Sequence, residues 1–102
     1  MDATTVVNLK GHRDDPAYAD VIYVGREMHR GGWHLKASPL ANPFRVGPDG
    51  SRRADVVLRY RSYLQTRPDL LALVRQLHGR RLGCWCVPDP CHAEVIAELA
   101  DA

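Results

Sequence analysis

The stretch from Gly83 to His92 constrains the fold most, because it places every cysteine of the chain and one histidine within nine residues. The residues before it, Arg80–Gly83, have the pattern of a strand. Asp89-Pro90 and the apolar spacing of Ala93–Leu99 are typical of a helix start. The sequence therefore predicts a Cys/His cluster on a strand-to-helix turn, which is an element of α/β folds.

The length of 102 residues suits one hydrophobic core and leaves little room for a second module, so we expect a single domain over residues 1–102. No apolar run approaches the roughly 18 residues of a membrane span, and no secretion signal is recognisable. Three cysteines in C-x-C spacing do not form a disulfide framework. We therefore expect a cytoplasmic protein with reduced thiols and no membrane partner.

The net charge is only +2, but twelve of the fourteen basic residues are arginines. Arginine offers a planar, bidentate fork to phosphate and carboxylate groups, which favours an anionic ligand. A genome rich in G and C explains the same bias. A charge this small does not by itself predict nucleic-acid binding, so nucleic acid stays an alternative partner.

Two short β-branched runs, Thr5–Leu9 and Asp20–Val24, are predicted as strands. The second run is apolar without alternation, which is typical of a strand in the middle of an α/β sheet. Residues 27–50 form a long loop rich in Gly and Pro, with at most a short strand around Trp33–Lys36. Loops of that length are uncommon unless they bind something, although a surface excursion is the alternative.

Two helices follow the long loop. Ser51 is predicted to cap a helix over Arg52–Gln65, which has apolar residues at three- and four-residue spacing. Pro68 begins a second helix that stops at Gly79. Taken together, the elements predict a small single-domain α/β sandwich with a short, partly parallel sheet flanked by about three helices.

The Cys/His turn carries groups with reactive chemistry. In a strand, Cys84 and Cys86 point to the same face. Asp89-Pro90 suits the cap and first position of the last helix, which places Cys91 and His92 in its first turn. A helix N-terminus lowers the pKa of a thiol and also binds phosphate. We therefore predict Cys91 and His92 as catalytic residues, with His29, His34 and His78 open as alternative bases.

Zinc is the alternative cofactor. Cys84, Cys86, Cys91 and His92 could surround one ion, in a non-enzymatic module that binds protein or nucleic acid. Structural zinc sites usually present two separated C-x2-C knuckles, and the adjacent Cys91 and His92 reach one ion with difficulty, so the leading prediction contains no metal. In a third interpretation, Cys84 and Cys86 are small buried core residues.

A second cluster lies where the second strand ends. Gly25 and Arg26 follow that strand, and open α/β sheets bind ligands at the carboxyl ends of their strands. Arg26 is a candidate anion clamp, with Ser38 and Asn42 from the long loop as hydrogen-bonding groups. The predicted ligand-binding residues are Gly25, Arg26, Ser38, Asn42, Phe44, Cys84 and Cys86.

Several segments together resemble a known family: Tyr23-Val24-Gly25-Arg26, Ser38 to Phe44, Tyr60-Arg61, Gly79 to Cys86, and Pro90-Cys91-His92. This family is the bacterial and phage domain of unknown function with the number four thousand three hundred and twenty-six. The resemblance covers Val6 to Leu99 and implies a small intracellular domain of phages and mobile elements, without an established reaction. Relatives tend to carry an aromatic residue just before Asn-Pro-Phe, where this chain has Leu40-Ala41, so Trp33 or Phe44 would have to stack on a ligand.

We therefore expect the chain to bind a small phosphorylated or nucleotide-like ligand at one sheet edge and to act on it through Cys91. The edge is formed by Gly25-Arg26, the Ser38–Phe44 loop and the Cys86–His92 turn. A plain partner-binding protein that uses Arg53 and Arg59 is a further alternative.

Overall fold

Three short strands and three α-helices make up the part of the chain that the computed structural model describes, which is residues 3–45, 52–87 and 89–102. The elements are β1 (Thr5–Asn8), β2 (Ile22–Tyr23), α1 (Arg53–Gln65), α2 (Pro68–Arg75), β3 (Arg81–Cys84) and α3 (His92–Ala100), with a single 3-10 turn at Pro16–Tyr18. The predicted α/β class is confirmed. The described residues do not include Ser51, Pro88 or residues 46–50. From the sequence, Ser51 is the predicted helix cap, Pro88 is part of the predicted turn, and residues 46–50 end the long loop.

β3 is the central strand of the sheet, in the order β1-β3-β2. Both of its pairings are parallel, and Leu82 lies opposite Val6 on one side and Ile22 on the other. The expectation that the second strand lies in the middle is therefore wrong, since β2 is an edge strand. Its apolar run has a different cause: Ile22 packs against the core, and Val24, just beyond the strand, is fully buried in it.

The hydrophobic core lies between the sheet and the helices. α3 packs on β1 and β3, and α1 and α2 pack on α3. The sequence predicts Val56, Val57, Tyr60 and Leu64 as the apolar face of α1, and in the structure Val56, Tyr60 and Leu64 are buried while Val57 is partly buried against the core. Burial of each large apolar side chain contributes about 1.5–3 kcal/mol relative to exposure. None of the described helices is long and apolar enough to cross a membrane.

The opposite side of β3 is closed by loop residues. Leu82 and Cys84 point into the core, whereas Gly83 faces the other way. A Cβ atom at Gly83 would lie 2.7 Å from Val21 Cγ1 and 2.9 Å from Leu9 Cδ1. Only glycine therefore lets these two side chains cover the central strand.

Two helix boundaries differ from the prediction. α2 ends at Arg75 instead of Gly79, whose N–H donates to Thr4 Oγ1 at 2.9 Å. α3 begins at His92 with Cys91 as its N-cap. The expected cap, Asp89, instead donates its N–H to the Cys86 carbonyl at 2.9 Å and so closes the turn that precedes the helix. Cys91 therefore lies before the first helical turn and not within it.

The long loop folds back on itself. Met28 and Leu35 form an isolated antiparallel bridge, close to the short strand predicted around Trp33–Lys36. Further along, the Ser38 N–H donates to the Gly25 carbonyl at 2.9 Å. These bonds hold the loop beside the carboxyl end of β2.

Candidate functional site

A cleft of about 880 Å³ opens at the carboxyl edge of the sheet. Because β2 and β3 are parallel, the segments that follow both strands meet at this edge. Eight of the nine predicted site residues line the cleft: Gly25, Arg26, Asn42, Phe44, Cys84, Cys86, Cys91 and His92. Ser38 is the one that does not. The structure thus brings together residues that lie far apart in the sequence, from Gly25 to His92, 67 positions later.

The cleft is strongly basic. Its described lining contains four arginines and one carboxylate, Glu27. The arginines are Arg26, Arg30, Arg45 and Arg53. Clefts lined by charges of one sign focus the electrostatic potential and raise the local concentration of oppositely charged ligands. The charge of this cleft therefore favours an anion.

Arg26 holds the loop in place. Its Nε and Nη2 donate to the Asn42 carbonyl at 3.0 and 2.7 Å, and Nη2 also donates to the Phe44 carbonyl at 2.6 Å. Burial, together with the nearby positive charge of Arg45, lowers the pKa of the Arg26 guanidinium. Most of the hydrogen-bond donors of the guanidinium that was predicted to bind an anion thus donate to backbone carbonyls of the loop.

Ser38 and Asn42 shape the same loop through local turns. Ser38 Oγ accepts the Leu40 N–H at 3.0 Å, and Asn42 Oδ1 accepts the Phe44 N–H at 2.9 Å. Such side-chain bonds to the backbone two residues on are typical of these residue types. Asn42 lies in the cleft wall, while Ser38 supports the loop from outside it.

A buried tyrosine attaches the loop to the helices. The Tyr60 hydroxyl on α1 donates to the Leu40 carbonyl at 2.5 Å, and both residues are buried. Burial raises the pKa of this hydroxyl, so it is a hydrogen-bond donor at all physiological pH values. The apolar spacing of α1 predicted that Tyr60 is buried, but no sequence signal indicated the partner of its hydroxyl.

Aromatic side chains form another wall. Trp85 donates its Nε1–H to the Tyr23 hydroxyl at 3.0 Å and packs edge to face against Trp33, with 5.0 Å between the ring centroids. The Tyr23 hydroxyl in turn donates to the Arg26 carbonyl. A Cβ atom at Gly25 would lie 2.5 Å from the Tyr23 hydroxyl, so the glycine makes room for this contact.

The turn after β3 is held by a residue that the sequence did not single out. Asn8, opposite Cys84 in β1, donates from Nδ2 to the Val87 carbonyl at 2.9 Å and to the Trp85 carbonyl at 3.3 Å. These bonds fix the backbone on both sides of Cys86. An asparagine in a short strand gives no recognisable sign of such a role.

The three cysteines form one cluster. Cys84 ends β3 and Cys91 caps α3, and both are 1% exposed, whereas Cys86 between them is partly exposed. All three line the cleft, and Cys86 packs against the buried cluster that contains Cys84 and Cys91. The shared side predicted for Cys84 and Cys86 is therefore kept, although Cys86 lies beyond the end of the strand.

One thiol of the cluster is acidic. The neighbouring thiols of Cys84 and then Cys91, with further help from the charge of Arg53, hold the pKa of Cys86 far below its usual range. The neighbouring Cys86 thiol raises the pKa of Cys84, and the Cys84 and Cys86 thiols, together with burial, raise the pKa of Cys91. The lowered pKa expected for Cys91 from a helix N-terminus is not found, because the neighbouring Cys84 and Cys86 thiols and burial raise it.

His92 is buried beside Cys91. Its Nε2 lies 2.6 Å from the Val24 carbonyl, and its Nδ1 lies 3.7 Å from Cys91 Sγ. Since a carbonyl only accepts, Nε2 carries the proton and Nδ1 is left as an acceptor. Burial lowers the pKa of this imidazole, which keeps it neutral at pH 7.

The alternative zinc site can be compared with this geometry. Within residues 3–45, 52–87 and 89–102, no group of three or more His, Cys, Asp or Glu side chains is arranged to hold a metal ion. His92 directs one ring nitrogen to a backbone carbonyl and the other to a thiol.

Sequence comparisons give three relationships. The family described as "Domain of unknown function (DUF4326)" matches residues 7–102. "Uncharacterized protein R718" of Acanthamoeba polyphaga mimivirus is 33% identical over 87 residues, which cover 84% of this chain and 65% of that protein. The "Uncharacterized 12.4 kDa protein in nrdA-td intergenic region" of Enterobacteria phage T4 is 37% identical over 60 residues, covering 55% of this chain and 56% of that protein.

The chain therefore spans less than two thirds of the length of each of these relatives. No solved structure matches it at a significant level.

Proposed function

Because the chain belongs to the DUF4326 family, whose description names no activity, we propose from the cleft itself that the protein binds a small phosphorylated or nucleotide-like molecule at the carboxyl edge of its sheet. Membership confirms the resemblance found in the sequence. The ligand and its chemistry are our proposal.

The excess of arginine over carboxylate in the cleft supports the phosphate part of the proposal. Arg30, Arg45 and Arg53 are exposed side chains around the opening, while Arg26 lies deeper and is bonded to the loop. Guanidinium groups bind phosphate oxygens in pairs through charge-assisted hydrogen bonds. We therefore assign phosphate binding to the three exposed arginines and positioning of the loop to Arg26.

The remaining lining supports an organic body attached to the phosphate. Phe44, Trp85, Val56 and Val57 give the cleft apolar and aromatic surface beside the arginines. Pockets for small organic ligands typically measure about 300–1,000 Å³ and combine apolar walls with a few polar groups. A cleft of about 880 Å³ is large enough for a mononucleotide.

A reactive thiol at the floor of the cleft completes the proposal. The roles predicted for Cys91 and His92 stay predictions. Because Cys86 is the partly exposed sulfur and the acidic one, we assign the thiolate that faces the ligand to Cys86. The buried Cys84 and Cys91 then act as its hydrogen-bond donors.

Ligand binding is tested by calorimetry and thermal shift with inorganic phosphate, pyrophosphate, nucleoside mono- and triphosphates, and nucleosides without phosphate. We expect binding of phosphorylated compounds only. Arg53→Gln removes a charge-assisted contact of about 1.5–3 kcal/mol, so we expect the Kd to rise about tenfold or more.

Arg59→Gln is the matched control, because Arg59 is exposed on the same helix, loses the same charge and does not line the cleft. Its affinity should equal that of the unmodified protein. Equal effects of the two substitutions, or equally tight binding of nucleosides without phosphate, would contradict the proposed site.

A further inference from the structure

The thiol cluster has a geometry that ligand binding does not require. All three cysteines line the cleft, but Cys84 and Cys91 are 1% exposed, whereas Cys86 is partly exposed and packs against the cluster that contains the other two. A small oxidant that enters the cleft therefore meets Cys86 first. Cys84 and Cys91 lie behind it in the same packed cluster.

The geometry points to Cys86 as a site of reversible oxidation by hydroperoxides, in which Cys91 is the thiol that converts the oxidised sulfur into a disulfide. This inference is independent of the proposed phosphate ligand, because it concerns the sulfurs alone.

The first step is attack of the Cys86 thiolate on one oxygen of the peroxide. With hydrogen peroxide, the S–O bond forms, the O–O bond breaks, and the second oxygen leaves as hydroxide, which takes up one proton to become water, so that Cys86 becomes a sulfenic acid. In the second step, Cys91 Sγ attacks Cys86 Sγ, the S–O bond breaks, and the hydroxide leaves as water. One peroxide and two thiols thus give one disulfide and two waters.

His92 is placed to accept the proton that Cys91 must lose in the second step. Its Nδ1 lies 3.7 Å from Cys91 Sγ, and the bond from Nε2 to the Val24 carbonyl fixes the tautomer in which Nδ1 is an acceptor. The proton then passes to the departing hydroxide. His92 is therefore the proton acceptor for Cys91 in disulfide formation, and it has no such role toward Cys86.

The backbone favours Cys91 over Cys84 as the second thiol. Cys84 is held in the central strand by its pairing with Asn8, and it is separated from Cys86 by only one residue. Cys86 and Cys91 lie on the two sides of a turn that the Asp89 N–H to Cys86 carbonyl bond closes.

The inference is tested on the reduced protein with one equivalent of hydrogen peroxide, followed by alkylation and peptide mapping. We expect the number of free thiols to fall from three to one and the disulfide to join Cys86 and Cys91, with full reversal by a dithiol reductant. A disulfide between two chains, a bond from Cys84, or unchanged thiols would overturn the inference. Stoichiometric zinc held by all three thiols in the purified protein would do the same.

Three serine variants separate the roles. Cys86→Ser should abolish the reaction, and Cys91→Ser should stop it at a sulfenic acid that a 1,3-dione probe traps. Cys84→Ser is the matched control, in which the disulfide still forms. If Cys84→Ser prevents the disulfide while Cys91→Ser does not, the assignment of Cys91 is wrong. Mapping of the unmodified protein decides the main point even where a variant fails to fold.

Discussion

Tyr60→Phe removes one oxygen atom from the core and tests how the cleft loop is anchored. The Tyr60 side chain is fully buried, and its hydroxyl donates to the Leu40 carbonyl, which is also buried. Phenylalanine keeps the ring and its edge-to-face contact with His92, so packing changes little. What changes is the bond between α1 and the loop that carries Asn42 and Phe44.

The expected loss of stability follows from that single bond. A buried carbonyl left without its donor costs about 1–3 kcal/mol, whereas a solvent-exposed bond costs much less because water replaces the donor. In a domain of about 100 residues, each kcal/mol shifts the Tm by about 4–8 °C. We therefore expect a decrease of at least about 4 °C in the Tm of Tyr60→Phe.

Tyr63→Phe is the matched control on the same helix. The Tyr63 hydroxyl accepts an exposed bond from Arg67 Nη1 at 3.2 Å, so its removal should change the free energy of unfolding by no more than about 0.5 kcal/mol. Urea denaturation and thermal melting of the three proteins measure the difference. If Tyr60→Phe costs no more than Tyr63→Phe, the Tyr60 bond does not anchor the loop.

Two further predictions concern the sheet and the C-terminal end of the described chain. Gly83→Ala should lower the free energy of unfolding by about 1–3 kcal/mol, because the new Cβ would lie 2.7 Å from Val21 Cγ1. Gly11→Asn is the control and should cost less, because Gly11 has φ +84° and open space around it. Equal urea midpoints of the two variants would refute this reasoning. Hydrogen bonds from the Thr4 side chain and backbone lower the pKa of the Asp101 carboxyl below its usual value of 3.8. The ionised carboxylate therefore stabilises the fold above pH 3.8, and this stabilisation is lost as the pH falls through the lowered pKa. The stability difference between the unmodified protein and Asp101→Asn, measured in urea, should therefore shrink from pH 7 to about pH 3, and a constant difference would contradict the assignment.

Parallel topology explains why so much of the site could be predicted. Once Val24 and Cys84 are recognised as the ends of parallel strands, the residues after them must share one edge, whichever strand is central. The apolar spacing of α1 likewise predicted its buried face. Neither inference needs knowledge of long-range contacts.

The order of the strands could not be predicted for a physical reason. The run from Val21 to Val24 is continuously apolar because Ile22 packs on the core, Val24 is buried in it, and Val21 covers Gly83. Such a run has the same appearance as a central strand buried on both faces. Gly83, which lowers the strand propensity of β3, is the residue that lets the true central strand be covered.

The first residue of α3 could not be predicted from the sequence either. Asp89-Pro90 has the residue types of a cap and a first helical position. In the structure the Asp89 N–H closes the preceding turn by donating to the Cys86 carbonyl, and the helix begins at His92 with Cys91 as its N-cap. This shift of two residues moves Cys91 out of the first turn and into the thiol cluster, which changes the sulfur expected to carry the negative charge.

Arg53 takes part in both proposals, the phosphate site and the oxidation of Cys86. Its positive charge lies near Cys86 and helps to lower the pKa of that thiol, and it also faces the cleft that we propose for a phosphate. A bound phosphate and the Cys86 thiolate would both be stabilised by one guanidinium while repelling each other. Because linkage is reciprocal, a phosphate that disfavours the thiolate must itself bind more tightly once Cys86 loses its charge in a disulfide. Oxidation of the cluster and occupancy of the cleft are then coupled through a single side chain.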